Sequence, residues 1–309
     1  MQYLQILPPI RIALSAHRAV VALETSLISH GLPWPKNFET AQKMEAAIEV
    51  EGATPATIAI HQGKIQIGCD TPLLEHFSRA KDVLKVGRKD ISAALSTGRD
   101  GGTTVSATIH CAAAAGIDIF ATGGIGGVHR GGALSLDISS DLSVLGRSKM
   151  AVVCSGAKSI LDLAKTLEVL ESQNVLVLGF GTDCFPAFYA RDSGLKLDHH
   201  VDTPEAAAEI LHCHRQLSVE LAMESAVLIV NPIDTAYAIA WDELQDWTAQ
   251  AEKEALAAGV GGKALTPYLL GRIGELSAGR TLEANQALAV GNAKLAAKIA
   301  VALAAMARK

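Results

Sequence analysis

The 309-residue chain has no Cys-x-x-Cys pair among its five cysteines, only 4% aromatic residues, and no excess of basic charge, its formal net charge being -5. Each shortage excludes a class of function. Cys69, Cys111, Cys154, Cys184 and Cys213 are odd in number, widely spaced and mostly inside apolar runs, so they read as free thiols in a reducing compartment. Scattered Lys and Arg under a net negative charge argue against a nucleic-acid surface, and so few aromatics leave no platform on which bases would stack. No long uninterrupted apolar run suggests a membrane span. Residues 1–18 are broken by Pro8, Pro9, Arg11 and His17, and residues 111–128 contain Asp118 and five glycines. The expectation is a soluble, cytoplasmic protein without nucleic-acid or membrane partners, in which an anionic ligand would need a local pocket.

What is present is 49% hydrophobic sequence in which short apolar runs alternate with helical spacing from end to end, with no low-complexity linker. That pattern predicts an α/β fold, three-layer α/β/α with a central mostly parallel or mixed sheet, as a single domain over 1–309. Strands are expected at 19–23, 82–86, 117–121, 150–154, 175–179 and 226–230. A hairpin is expected from 56–60 and 64–67, turning at His61-Gln62-Gly63.

The stretch Met150-Ala-Val-Val-Cys-Ser-Gly-Ala-Lys-Ser-Ile-Leu-Asp-Leu163 reads as a buried strand broken by Gly156 and followed by helical spacing from Ala157. Lys158 is then expected at a helix N-terminus, where its charge opposes the helix dipole. A nucleophilic lysine needs its ammonium destabilised, which such a place would provide; an ordinary solvated lysine is the other reading. Glu24 ends the run 19–23, and in open α/β sheets ligands bind beyond the carboxyl ends of strands. A solvated carboxylate at a strand end is its alternative. Lys85 stands before Gly87-Arg88-Lys89-Asp90, a positive cluster that is either solvated surface or a place for an anion.

Two glycine-rich stretches follow. Gly98-Arg-Asp-Gly-Gly-Thr-Thr-Val105 leads into a helix at 106–115, so Thr103, Thr104 and nearby N–H groups form a natural anion site. Thr122-Gly-Gly-Ile-Gly-Gly-Val-His-Arg-Gly-Gly132 has six glycines, which permits close backbone approach to a ligand. His129 stands where a dinucleotide fingerprint needs glycine, and Gly261-Gly262-Lys263 lacks the rest of a P-loop. In Asp137-Ile-Ser-Ser-Asp141 two carboxylates would share one face if helical, with Ser139 and Ser140 between them. The set suits magnesium or manganese, or equally a capped helix start. His212-Cys213-His214 lies in a helical pattern where residues two apart face different ways, against a metal pair.

Together these motifs identify the chain as resembling the pseudouridine-5'-phosphate glycosidases, the indigoidine synthase A-like group, from about Ile10 to the C-terminus. The resemblance rests on Val-Ala-Leu-Glu24-Thr-Ser-Leu-Ile-Ser-His-Gly, Asp-Gly-Gly-Thr-Thr-Val105, Phe-Ala-Thr-Gly-Gly-Ile-Gly-Gly-Val-His-Arg-Gly, Asp137-Ile-Ser-Ser-Asp141, Val-Cys-Ser-Gly-Ala-Lys158-Ser-Ile-Leu-Asp-Leu and Asn231-Pro. It implies reversible cleavage of the C–C glycosidic bond of pseudouridine 5'-phosphate to uracil and ribose 5-phosphate. Lys158 matches the nucleophile and Glu24 the proton donor. Lys85, Val105, Ser139, Ser140 and Asp141 match substrate contacts, Asn285 a base contact, and Asp137 a manganese ligand, one ion per subunit. His129 would join Lys85 at the phosphate. A homotrimer is implied as well. Between Thr182 and Thr203 the chain departs from the pattern, which touches lid or oligomer contacts. The alternatives are a Schiff-base lyase or aldolase acting on another phosphosugar, and a non-catalytic sugar-phosphate-binding protein.

Overall fold

A computed structural model describes residues 2–132, 136–261 and 264–306; Gly262 and Lys263 of the failed P-loop lie outside them. The strands are β1 (Leu4–Ile6), β2 (Val20–Glu24), β3 (Thr54–His61), β4 (Lys64–Ile67), β5 (Leu84–Val86), β6 (Gly101–Thr103), β7 (Ile119–Ala121), β8 (Val128–His129), β9 (Ala151–Cys154), β10 (Leu161–Asp162), β11 (Leu176–Phe180), β12 (His199–Val201) and β13 (Val227–Val230). One sheet runs β1-β4-β3-β2-β7-β9-β13-β11-β12, with β6 also on β3 and β5 on β6. Its centre, β3 through β12, is parallel, and β4 and β6 pair antiparallel with β3. The mixed, mostly parallel sheet flanked by helices is as expected. The hairpin turn is there too: β3 and β4 close through Gln62 and Gly63, both at positive φ.

Strands β2, β7, β9 and β13 are buried along their whole lengths, which is why they read as continuous apolar runs. The last helix, Arg280–Met306, is long and apolar enough to cross a bilayer, but 56% of its most apolar window is buried within the protein. It packs on the helices Lys36–Val50 and Pro204–Glu220 and on β2, β7 and β9, as a core helix does. Asn292, buried on this helix, donates through Nδ2 to the Thr122 carbonyl at 2.9 Å and accepts from Asn231 Nδ2 at 3.0 Å. One amide therefore fastens the carboxyl ends of β7 and β13, and Asn231 serves this network.

Three local expectations change. The helix after β9 does not begin at Ala157: it spans Leu163–Ser172, capped by Asp162, whose Oδ1 accepts from the Lys165 amide at 3.1 Å. The intervening residues pair instead, Leu161 with His129 in the β10–β8 ribbon and Ala157 with Ile125. Lys158 thus follows β9 in a loop, where its carbonyl accepts from the Leu161 amide at 3.0 Å, and not at a helix N-terminus. Asp137 and Asp141 do not share a helical face, because the helix is Ser140–Leu145 and Ser139 is its N-cap. The divergent stretch after Thr182 is core only in its first part, where Phe185, Ala187, Phe188, Tyr189 and Ala190 are buried, and is exposed or half-buried from 191 to 200.

Candidate active site

The carboxyl ends of β2, β7 and β9 open onto a cleft of about 600 Å³. Glu24, Lys85, Val105, His129, Asp137, Ser139, Ser140, Asp141 and Lys158 all line it. Asn285 lines an adjoining lobe with Gly123, Gly124 and Phe188, and Glu24, Ser26, His30, Lys85 and Lys158 border both spaces. The ten residues singled out from sequence therefore meet at two connected lobes, with Glu24 and Lys158 at the waist.

Glu24 ends β2 and is buried. Its carboxylate accepts hydrogen bonds from Ser26 Oγ on one oxygen and Thr122 Oγ1 on the other. Burial raises its pKa above the usual glutamate value; the charge of Lys158 and the two hydroxyls pull the other way, and Asp141 adds to the rise. The net rise favours the protonated form that a proton donor needs. Lys158 is half-buried, its backbone amide donating to the Ile125 carbonyl at 3.2 Å, so the glycine-rich loop fixes its start.

Gly156 shapes that approach. It has φ +79, and a Cβ there would overlap the Pro186 carbonyl, so only glycine lets the loop after β9 turn under the 185–190 segment. The 122–132 glycines serve the protein's own packing to a greater extent than expected. A Cβ at Gly126 would strike Ser139, and one at Gly124 would sit 2.7 Å from the Phe188 ring.

The helix Val105–Ala114 was expected to offer its N-terminus to an anion. The anion it meets is Asp141, whose Oδ1 accepts from the Ser106 amide at 3.0 Å and whose Oδ2 accepts from the Gly126 amide at 2.9 Å. Asp141 is buried, and its oxygens hold two loops together at the cleft floor. Asp137 has a different setting, beside His129, whose amide donates to the Asp137 carbonyl at 3.0 Å. Burial lowers the His129 pKa; Asp137 opposes that, and the charges of Lys158 and Lys85 add to it. These four ionisable groups therefore share one field.

Two groups escaped the sequence reading. His30 closes the short helical turn Leu27–Gly31 after β2, and its Nε2 is buried with no hydrogen-bond partner among the described residues. Asn285 Oδ1 is in the same state. Away from the cleft lining, His61, His76 and Asp100 bring two imidazole nitrogens and a carboxylate within 4.8 Å of one another, a donor set able to hold a metal ion. Asp100 already bridges the rings, at 2.7 Å to His61 Nδ1 and 2.5 Å to His76 Nε2.

The family described as Indigoidine synthase A like protein matches residues 9–302. The chain belongs to that family. A pseudouridine-5'-phosphate glycosidase of Rhizobium johnstonii is 49% identical over 94% of this chain and 93% of its own length. One from Symbiobacterium thermophilum is 47% identical, covering 96% of each. Among solved structures, the prealnumycin C-glycosynthase in complex with ribulose 5-phosphate superposes with a TM-score of 0.92 at 38% identity, over 100% of this chain and 99% of that one. An indigoidine synthase A-like protein of Thermotoga maritima gives 0.87 at 35% identity, over 98% and 97%. These relatives and structures match the chain over nearly its whole length.

Proposed function

We propose that this protein reversibly cleaves the C–C glycosidic bond of pseudouridine 5'-phosphate, giving uracil and ribose 5-phosphate. The observation that carries the reading is one amine and one buried carboxyl, Lys158 and Glu24, on the lining shared by the two lobes of the cleft. The names of the curated relatives and the phosphosugar in the C-glycosynthase complex support the same substrate class.

A C-glycosidic bond has no leaving oxygen to protonate, so two carboxylates acting as in ordinary glycosidases do not suffice. An amine does. Glu24 protonates the ribose ring oxygen and the ring opens, while Lys158 Nζ bonds to C1' and loses a proton. The nitrogen lone pair then forms the C=N bond as the C1'–C5 bond breaks, its electron pair passing to the uracil carbon, which takes a proton. Water hydrolyses the resulting iminium, releases ribose 5-phosphate and restores the amine.

Lys85 and His129, with the nearby glycine amides, hold the phosphate in this reading; Ser139 and Ser140 contact the sugar phosphate and Val105 packs against it. Asn285 meets the uracil, whose N–H groups suit its unpartnered Oδ1. Asp137 would hold a divalent ion, manganese by resemblance, which supplies positive charge for phosphate and ordered water when bound. The donor set fits, since such ions keep several waters and need only one or two carboxylates. Asp141, with both oxygens on backbone amides, holds the floor that carries these contacts. A single domain, a homotrimer and a cytoplasmic location belong to the same reading; light scattering of the purified protein checks the trimer.

The likeness to a C-glycosynthase favours a second reading, joining of a pentose phosphate to a carbon nucleophile other than uracil. Incubation with pseudouridine 5'-phosphate and manganese, following uracil release beside Lys158→Ala, decides. Release that depends on Lys158 supports the first reading, and absence of release removes it.

A further inference from the structure

His30 is left unused by this mechanism, and its surroundings leave it incomplete. It borders both lobes with Glu24, Lys85 and Lys158, the position a sugar would occupy between a phosphate on one side and a base on the other. Its Nε2 is shut from solvent and has no hydrogen-bond partner among the described residues. An unsatisfied buried polar atom is costly, and one on a residue that borders a cleft is completed when a ligand brings the missing group.

The chemistry of the missing group follows from the ring. Burial is the largest influence lowering the His30 pKa; a hydrogen bond to the Leu84 carbonyl opposes it, and the Lys85 charge reinforces it. The ring is therefore neutral near pH 7. A neutral imidazole with its N–H given to a carbonyl offers a lone pair at the other nitrogen, an acceptor that asks for a hydroxyl donor.

We propose that His30 is a sugar-binding, specificity-determining residue whose Nε2 accepts a hydrogen bond from a ribose hydroxyl, O2 or O3, and so holds C1' between Lys158 and Glu24. This rests on the phosphosugar reading of the cleft. A site built around such a bond discriminates against the sugar that lacks the hydroxyl, because the buried nitrogen is then left unpaired.

The test is calorimetric titration of the wild type, His30→Leu and His30→Gln with ribose 5-phosphate, 2-deoxyribose 5-phosphate and 3-deoxyribose 5-phosphate. The wild type should favour ribose 5-phosphate over one deoxy sugar by about tenfold or more. Which deoxy sugar is disfavoured names the hydroxyl. His30→Leu should bring the two affinities within about twofold, and His30→Gln, which keeps an acceptor, should restore part of the gap. An unchanged preference in His30→Leu, or no preference in the wild type, overturns the assignment. Should His30→Leu not fold, the 15N resonance of His30 Nε2 in the wild type decides: it should move with ribose 5-phosphate and stay with the disfavoured deoxy sugar, and an equal response to both rejects the proposal. Uracil release from pseudouridine 5'-phosphate, measured alongside, judges the reaction separately. Its absence with sugar discrimination intact would strike the reaction and leave His30 in place.

Discussion

Asp141 Oδ1 accepts the Ser106 amide at 3.0 Å, joining the first turn of one helix to an aspartate on another. Its second oxygen takes the Gly126 amide at 2.9 Å, so one side chain ties three segments under the cleft. Removing it leaves the buried Ser106 amide and the half-buried Gly126 amide unmet. Asp141→Ala should lower stability by about 3 kcal/mol in urea denaturation, while Ser143→Ala, exposed on the same helix, should stay within about 0.5 kcal/mol. Equal midpoints for the two variants would show that Asp141 does not hold the floor.

Lys158→Ala should reduce uracil release by about a thousandfold or more, since no other amine replaces a covalent nucleophile held in place. The side chain is only half-buried, so circular dichroism and the melting temperature should change little. Borohydride reduction in the presence of ribose 5-phosphate should add the sugar's mass less one oxygen atom, water being lost and two hydrogens gained, to the wild type and not to Lys158→Ala. Labelling of the variant at the wild-type level would place the adduct elsewhere.

The relation of Lys158 to the fold shows how far sequence carries. The apolar run 150–154 and the break at Gly156 are local, and β9 lies where they say. The helix start at Ala157 fails because Leu161 pairs with His129, a partner across the chain that outcompetes helical spacing. Glu24 and Lys158 were legible as strand-end residues, because a parallel sheet brings carboxyl ends together whatever the register. Asp141 was legible as an acidic side chain near a helix start but not as the clamp it is, since Ser106 and Gly126 reach it only through tertiary packing. His30 stood within a quoted motif, yet its unpartnered nitrogen is a property of what surrounds the ring and left no trace in composition or spacing.

Asp137→Ala tests the metal reading with a measurement independent of rate. Titration of manganese into metal-free wild type, followed by the paramagnetic signal of free ion, should show one site per subunit that the variant lacks. Chelator should lower uracil release by the wild type, and restoring manganese should recover it. If Asp137→Ala binds the ion with wild-type affinity, the site lies elsewhere, and the His61, His76 and Asp100 donor set becomes the next position to examine by the same titration.

Glu24 gives the pH dependence its sign. Burial raises its pKa above the usual glutamate value, so the folded protein keeps this proton to a higher pH than the unfolded chain does. Above the ordinary carboxylate range the unfolded state binds fewer protons at this site, and stability must fall as pH rises through the folded-state pKa. Below the unfolded pKa both states are protonated and the contribution is fully present. Activity should follow the same direction: if the protonated carboxyl is the donor, kcat for cleavage falls as pH rises through that raised value. Glu24→Gln, which keeps a hydrogen-bonding side chain of the same length without a transferable proton, should cut cleavage by about a hundredfold or more and flatten this alkaline limb. It should also remove Glu24's share of the stability loss in denaturation profiles measured against pH. A Glu24→Gln rate profile that keeps the wild-type alkaline limb would assign the proton to another group.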